Sequence, residues 1–304
     1  MCGIIGIASN KPVSINIINS LKKLEYRGYD SAGIATLKNN FINEKKCSGR
    51  VDELEKILFK SPSDGNIGIG HVRWATHGVP SILNAHPHSS ENVSVVHNGI
   101  IENSDELKKE LESKGLKFKS QTDTEVITLL ITEELKNNNP LESVFKTLNK
   151  LKGSFALGIL FKDFSDIIIG ARRGSPLAVG YSNNENYLGS DSYALKSMTN
   201  KISYLDDGEL CVLTKSEVSF YNDKKNKINK KIHIVSDEEN IADKGDYKNF
   251  MSKEIFEQPI TAKKCVNEYI DSLKKDINIY NFPINPKDLK KIILIGCGTA
   301  YHSC

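Results

Sequence analysis

None of the six cysteines, Cys2, Cys47, Cys211, Cys265, Cys297 and Cys304, stands in a C-x-x-C pair. That absence argues against a structural zinc site and a disulfide framework, and it suits a reducing cytosol. Long apolar runs are missing too. Nothing approaches the ~18 residues of a membrane span, and the apolar start GIIGIA has no basic leader of the kind a signal peptide carries. There is little imbalance of charge: 41 Lys+Arg against 38 Asp+Glu leave +3, which favours neither a nucleic-acid partner nor its opposite. The one basic run, DKKNKINKK at 223–231, interleaves Asn with Lys, holds no aromatic residue and reads as a solvated loop. A cytoplasmic protein with no nucleic-acid and no membrane partner is the expectation.

The 304 residues, 39% hydrophobic and 26% charged, suffice for one large or two modest domains with real cores. GIIGIA at 3–8 predicts a buried strand, and SINIINSLKKLEY at 14–26 an amphipathic helix with Ile17, Leu21 and Leu24 on one side. RGYDSAGIATL runs from a polar turn into a strand, and VDELEKIL is a short helix. NIGIGHVRWAT and NVSVVHNGII are strand-like and each ends in a polar cluster. Two helices follow: SDELKKELESKG, opening with a Ser cap and ending in Gly, and TDTEVITLLITEELKN. From Gly153 to about Tyr221 the pattern becomes short strands: SFALGILF, DIIIGARRG, PLAVGY, NYLGS, ISYL, ELCVLT and EVSFY. Strands, then helices, then a run of strands predict an α+β domain of layered sheets. The stretch 223–246, rich in Lys, Asn and Asp, reads as a linker between a domain at 2–222 and a segment at 247–304. In that segment DYKNFMSKEIFEQPITAKKCVNEYIDSLKK is helical, with Pro259 in a break or at a first turn. KKIILIGCGTAYHSC has the pattern of a buried parallel strand entering a helix, the opening of a further domain.

Chemistry-bearing residues collect in a few places. Cys2 is either a small apolar filler on the first strand or, once Met1 is removed, a thiol that shares its residue with a free α-amine. That amine has a pKa of about 7.7–8.0 and makes the nucleophile its own base. In GHVRWATHG, Arg73 offers a planar fork suited to a carboxylate, or is a surface residue where a strand ends. In VVHNGII, Asn98 and Gly99 are either a hairpin turn or a pair of donors, amide and backbone N–H, for an oxyanion. Asp123 in SQTDTEV is either the N-cap of the next helix or a partner for an ammonium group. Five of the seven histidines, His71, His77, His86, His88 and His97, lie within 71–97 and raise the question of zinc. No acidic residue or fourth ligand falls at matching spacing, so no metal is expected.

MCGIIGI, YRGYDSAG (26–33), GHVRWATHG, HNGII and SQTDTEV stand here in an order similar to that of the glutamine–fructose-6-phosphate aminotransferase family. ARRGSPL (171–177), SDSYAL (190–195) and KEIFEQP (253–259) resemble it too, so the likeness covers essentially the whole chain. It implies a four-layer αββα sandwich of the N-terminal-nucleophile hydrolase kind, followed by the start of an α/β sugar-isomerase domain. By matched position it makes Cys2 the nucleophile and Asn98 with Gly99 the oxyanion hole. Arg73 would take the α-carboxylate of glutamine and Asp123 its α-ammonium. Trp74, Thr76 and His77 would lie on a loop closing over glutamine, and Arg27 would help position Cys2. In the isomerase segment the Gly-rich turn with Thr299 would favour a phosphate at a helix N-terminus. No cofactor is implied, and a homodimer is an assembly the family allows.

The function this implies is hydrolysis of glutamine to glutamate and ammonia through a Cys2 thioester, the ammonia-donor half of glucosamine 6-phosphate synthesis. Fructose 6-phosphate would be a partner only where the isomerase half is supplied. The isomerase lysine and acid/base residues lie outside this sequence, so the full synthase reaction is not expected of this chain alone. Two other readings stand beside it: a glutamine-binding regulatory or docking module without turnover, and a thiol hydrolase of other amides, which Arg73 with Asp123 disfavours.

Overall fold

The computed structural model describes residues 2–235, 246–271, 276–277, 284–296 and 299–304. Its contacts divide the chain into two units, Met1–Ala242 and Asp243–Cys304.

The first unit opens with β1 (Gly3–Ala8), α1 (Ser14–Leu24), β2 (Ser31–Lys38), β3 (Phe41–Ser48), α2 (Val51–Lys60) and β4 (Ile67–Arg73). β5 (His88–Ser89) and β6 (Val93–Ile101) lead to three helices, α3 (Ser104–Ser113), α4 (Thr124–Leu135) and α5 (Pro140–Lys150). Then come β7 (Gly153–Phe161), β8 (Ile168–Arg173), β9 (Ala178–Ser182), β10 (Glu185–Gly189), the short α6 (Ser192–Leu195), β11 (Lys201–Tyr204), β12 (Leu210–Leu213) and β13 (Val218–Tyr221). β14 (Lys227–Ile228) and β15 (His233–Ile234) close the unit's described elements.

These strands form two sheets, one in the order β15-β11-β9-β10-β1-β4-β2-β3 and the other β14-β13-β12-β8-β7-β6-β5. The alternation along β1 shows why they stack. Ile5 and Ile7 face outward and pack with Ile17, Leu21 and Leu24 of α1, whereas Ile4 and Ala8 face inward. The inward set meets Val96 of β6, Ala156 and Leu160 of β7 and Ile168 of β8. On the far side Phe155, Leu157, Ile159 and Phe161 of β7 pack with Val126, Leu130, Val144 and Phe145 of α4 and α5. A strand covered on both faces needs apolar residues at every position, which is why GIIGIA shows no polar alternation. Helix, sheet, sheet and helix make the expected four-layer αββα sandwich, and the second sheet runs antiparallel throughout its described pairs.

Several local expectations change. Asn98-Gly99 is no hairpin turn: both lie inside β6, where Asn98 pairs with Ala156 and Gly99 with Phe155. Helix α3 has Asn103, not Ser104, at its N-cap, and the Asn103 side chain instead bonds Lys150 O and Lys152 N. Helix α5 and strand β3 were not anticipated. For α5 the signal was present: Asn139 caps the Glu142 N–H at 2.9 Å and Pro140 stands at the first turn, a standard helix start. The 2–222 boundary also shifts outward. Inside the expected linker, β14 pairs with β13 and β15 with β11, because each outer strand of the sandwich still had free backbone groups to satisfy.

In the second unit α7 (Phe250–Tyr269) runs through Pro259 without the expected break, capped by Asn249 on the Ser252 N–H. β16 (Ile270–Asp271) pairs with β17 (Asp276–Ile277), and α8 (Thr299–Ser303) ends the chain. The expected strand IILIG has no regular structure, and Ile292, Ile293, Leu294 and Ile295 are exposed. No strand among the described residues lies beside it to accept its hydrogen bonds. The Thr299 side chain and Cys297 fall outside the described residues. No described helix is long and apolar enough to cross a membrane.

Candidate active site

The register of the two sheets assembles the site. Gly3 pairs with Val72, which sets Cys2, just ahead of β1, beside Arg73 at the end of β4. From the other sheet β6 brings Asn98 to the same place, and its Nδ2 donates to Cys2 O at 3.0 Å. One pocket is lined by Cys2, Arg73, Trp74, Thr76, His77, Gly99 and Asp123, together with His86, His97, Thr122 and Thr124. Residues as far apart in the chain as Cys2 and Thr124 thus converge on one concavity.

Cys2 Sγ accepts the Trp74 N–H at 3.2 Å. Burial pushes the thiol above its ordinary pKa, and the Trp74 backbone bond opposes that shift without cancelling it. The resting sulfur is therefore a protonated thiol that needs a base to become a nucleophile. The segment after Arg73 is tied down at its root: Asp30 accepts the Ala75 N–H through its carboxylate and donates its own N–H to Arg73 O at 3.2 Å. Gly28 packs so closely that a Cβ there would stand 2.5 Å from the Arg73 carbonyl carbon.

Arg73 is 3% exposed, so the surface alternative fails. Its Nη2 donates to the carbonyls of His77 and Gly78, while Nη1 is buried with no partner. A buried cation short of acceptors is costly, and an incoming carboxylate would supply them. Asp123 occupies the N-cap position of α4, but its side chain makes no cap bond; Oδ2 instead accepts the Ile101 N–H of β6 at 2.8 Å. Gly99 has φ +132, and a Cβ there would come within 2.1 Å of Ser154 O, so only glycine fits.

Arg27 does not line the pocket. Its Nη2 donates to Asp191 Oδ2 at 2.6 Å and its Nε to Tyr26 OH at 3.0 Å, next in sequence to the Gly28 that packs on Arg73. Trp74 is 48% exposed and meets Tyr29 edge-on at 5.8 Å. Thr76 and His77 are exposed on the same loop.

The histidines are the part sequence reasoning missed. His71, His86, His88 and His97 are not loop residues open to solvent but a buried cluster against the pocket. His71 and His86 stack at 4.2 Å, and His88 meets His86 edge-on at 4.7 Å. The Thr124 hydroxyl bridges His86 Nε2 at 2.8 Å and His97 Nδ1 at 2.9 Å, and Thr122 bonds His88 Nε2 at 2.9 Å. Burial holds all four imidazoles below their ordinary pKa, His71 at about 3. The five-histidine crowding was legible, as was the TDT that supplies both threonines.

A family model for a glutamine amidotransferase domain matches residues 73–197. Across its full length the chain is 42% identical to a glutamine–fructose-6-phosphate aminotransferase of Zymomonas mobilis and 45% identical to one of Brucella suis. It spans half the length of each. Among solved structures, a glutamine phosphoribosylpyrophosphate amidotransferase of B. subtilis superposes with a TM-score of 0.64 at 26% identity, over 74% of this chain and 50% of that one. A class-II glutamine aminotransferase domain protein of Silicibacter pomeroyi shares the fold, with a TM-score of 0.52 at 13% identity.

Proposed function

We propose that this chain, which carries a class II glutamine amidotransferase domain matching the N-terminal half of the glutamine–fructose-6-phosphate aminotransferases, hydrolyses glutamine to glutamate and ammonia at Cys2. The observation that carries the reading is the convergence of Cys2, Arg73, Gly99 and Asp123 on one pocket.

In this reading Arg73 and Asp123 grip the α-carboxylate and α-ammonium of free glutamine, which selects it over a glutamine inside a peptide. Arg73 gives up the His77 and Gly78 carbonyls to do so. Because those carbonyls now occupy the Arg73 guanidinium, the Trp74–Gly78 segment must shift as the carboxylate of glutamine enters. With Met1 gone, the Cys2 amine takes the thiol proton and Sγ attacks the side-chain amide carbon. Negative charge on the carbonyl oxygen meets Asn98 Nδ2 and the Gly99 N–H, and removing one such donor costs about 10²–10³ in rate. The protonated amine then delivers its proton to departing ammonia, and water resolves the thioester.

We place the reaction in the cytoplasm. We take the second unit as the start of a sugar-isomerase domain, and fructose 6-phosphate as the acceptor of the ammonia. The part of the relatives that this chain does not span would bind that acceptor.

The test is glutamate formation by chain whose intact mass shows loss of Met1. Cys2→Ala is expected to lower turnover by at least about 10⁴-fold with glutamine still bound, the scale at which a lone nucleophile is removed. Retention of turnover in that variant would overturn the assignment. Glutamine binding by the wild type with no glutamate formed would instead favour the regulatory module.

A further inference from the structure

We propose that His71 is a positioning residue for the oxyanion-binding amide of Asn98, a role that rests on the glutaminase reading above. The argument begins with hydrogen-bond valence. His71 is completely buried, and its Nε2 lies 3.0 Å from His97 O and 3.0 Å from Asn98 Oδ1. Both partners are acceptors, so Nε2 carries the proton. Its Nδ1 is buried without a partner, which a bare lone pair tolerates better than a stranded N–H would.

That tautomer dictates which way Asn98 faces. With Oδ1 held by the imidazole N–H, the amide NH₂ must turn toward Cys2, where Nδ2 already meets Cys2 O at 3.0 Å. A flipped amide would press NH₂ against the His71 N–H and lose both bonds. The imidazole itself cannot rotate away, because His86 stacks on its face at 4.2 Å and strand β4 fixes its backbone. His71 therefore reaches no substrate atom, yet it sets the direction of the donor that does. Preorganised direction is what makes such a donor effective, since no reorganisation is left for the moment of reaction.

The consequence is a split between rate and binding. His71→Leu removes the donor, frees the Asn98 amide to flip, and leaves Arg73 and Asp123 in place. We expect kcat for glutamine hydrolysis to fall about 10²-fold, with KM for glutamine moving less than about threefold. His71→Gln restores an N–H near the Nε2 position and should recover most of the rate. Loss of kcat with an equal rise in KM, no loss at all, or no recovery in His71→Gln would overturn the proposal.

Should His71→Leu fail to fold, the wild type still decides. Long-range ¹H–¹⁵N spectra are expected to show His71 protonated at Nε2 alone at neutral pH. An Nδ1–H tautomer would refute the role whatever the kinetics. A wild type that makes no glutamate would sink the glutaminase reading, and the tautomer measurement would still judge the contact between His71 and Asn98.

Discussion

GIIGIA at the head of the first unit and IILIG in the second have nearly the same composition and opposite fates. Ile4, Ile5 and Ile7 are fully buried, whereas Ile292 is 70% and Ile295 is 89% exposed. Local propensity cannot separate them, because both are β-branched apolar runs. The difference lies in neighbours. β1 has β4 on one side, β10 on the other, α1 over one face and the second sheet under the other. IILIG has none of these among the described residues. A strand is a property of the surface that receives it, and in this chain the received strand is also the one that positions the nucleophile.

Acid should separate the two units most sharply. The first unit buries His71, His86, His88 and His97 with their pKa values held down, His71 at about 3. The folded state accommodates the neutral rings, so their contribution is fully present above the unfolded value of about 6.5. It is lost as pH falls below that value toward the folded ones. While pH lies between a ring's unfolded and folded values, that ring removes at most about 1.4 kcal/mol per pH unit, so several such rings in one unit make a typical 5–15 kcal/mol acid-sensitive. Denaturation midpoints of the first unit are expected to fall steeply below about pH 6.5. In the second unit, whose one described histidine, His302, is exposed, amide protection relative to the intrinsic exchange rate at each pH is expected to show no such loss. Unchanged midpoints down to pH 4 would break the contrast.

Core truncation sharpens it further. Ile5→Ala should destabilise the first unit by about 2–5 kcal/mol, the usual range for such a change at a packed site. Ile293→Ala should change stability by less than about 0.5 kcal/mol, as an exposed side chain does. Urea titration of both variants measures the pair, and equal effects would mean that IILIG is buried after all.

The smallest expected effect concerns two matched caps. Asn139 and Asn249 each accept a backbone N–H at 2.9 Å, from Glu142 and Ser252. Asn139→Ala should cost about 1 kcal/mol of first-unit stability. Asn249→Ala should appear as lost helical signal from Phe250–Tyr269 in far-ultraviolet circular dichroism. A silent Asn139→Ala would remove that cap from the account of α5.

Much of this was legible because the chemistry is local. The apolar run at 3–8, the helical spacing of Ile17, Leu21 and Leu24, and the seven short segments after Gly153 all appear as elements close to where they were expected. Asn98-Gly99 was ambiguous because the same dipeptide suits a hairpin turn, and only the ladder to Ala156 and Phe155 puts it mid-strand. Asp123 was ambiguous for a related reason. It does stand at an N-cap, but β6 claims its carboxylate through the Ile101 N–H. The buried histidines could be counted but not placed, since which ring meets which threonine depends on how β4 and β6 pack across the two sheets.

By itself, then, the sequence determined the element types, the apolar faces and the residue kinds available for chemistry, since side-chain spacing and backbone preference act over a few positions. Tertiary structure alone decided the extension of one sheet to residue 234 and of the other to residue 228, the exposure of IILIG, the convergence of Cys2 with Arg73 and Asp123, and the contact of His71 with Asn98. The physical reason is the same each time: a strand edge, a buried imidazole and a carboxylate are satisfied by partners dozens of residues away, and only the packed fold says which partners those are.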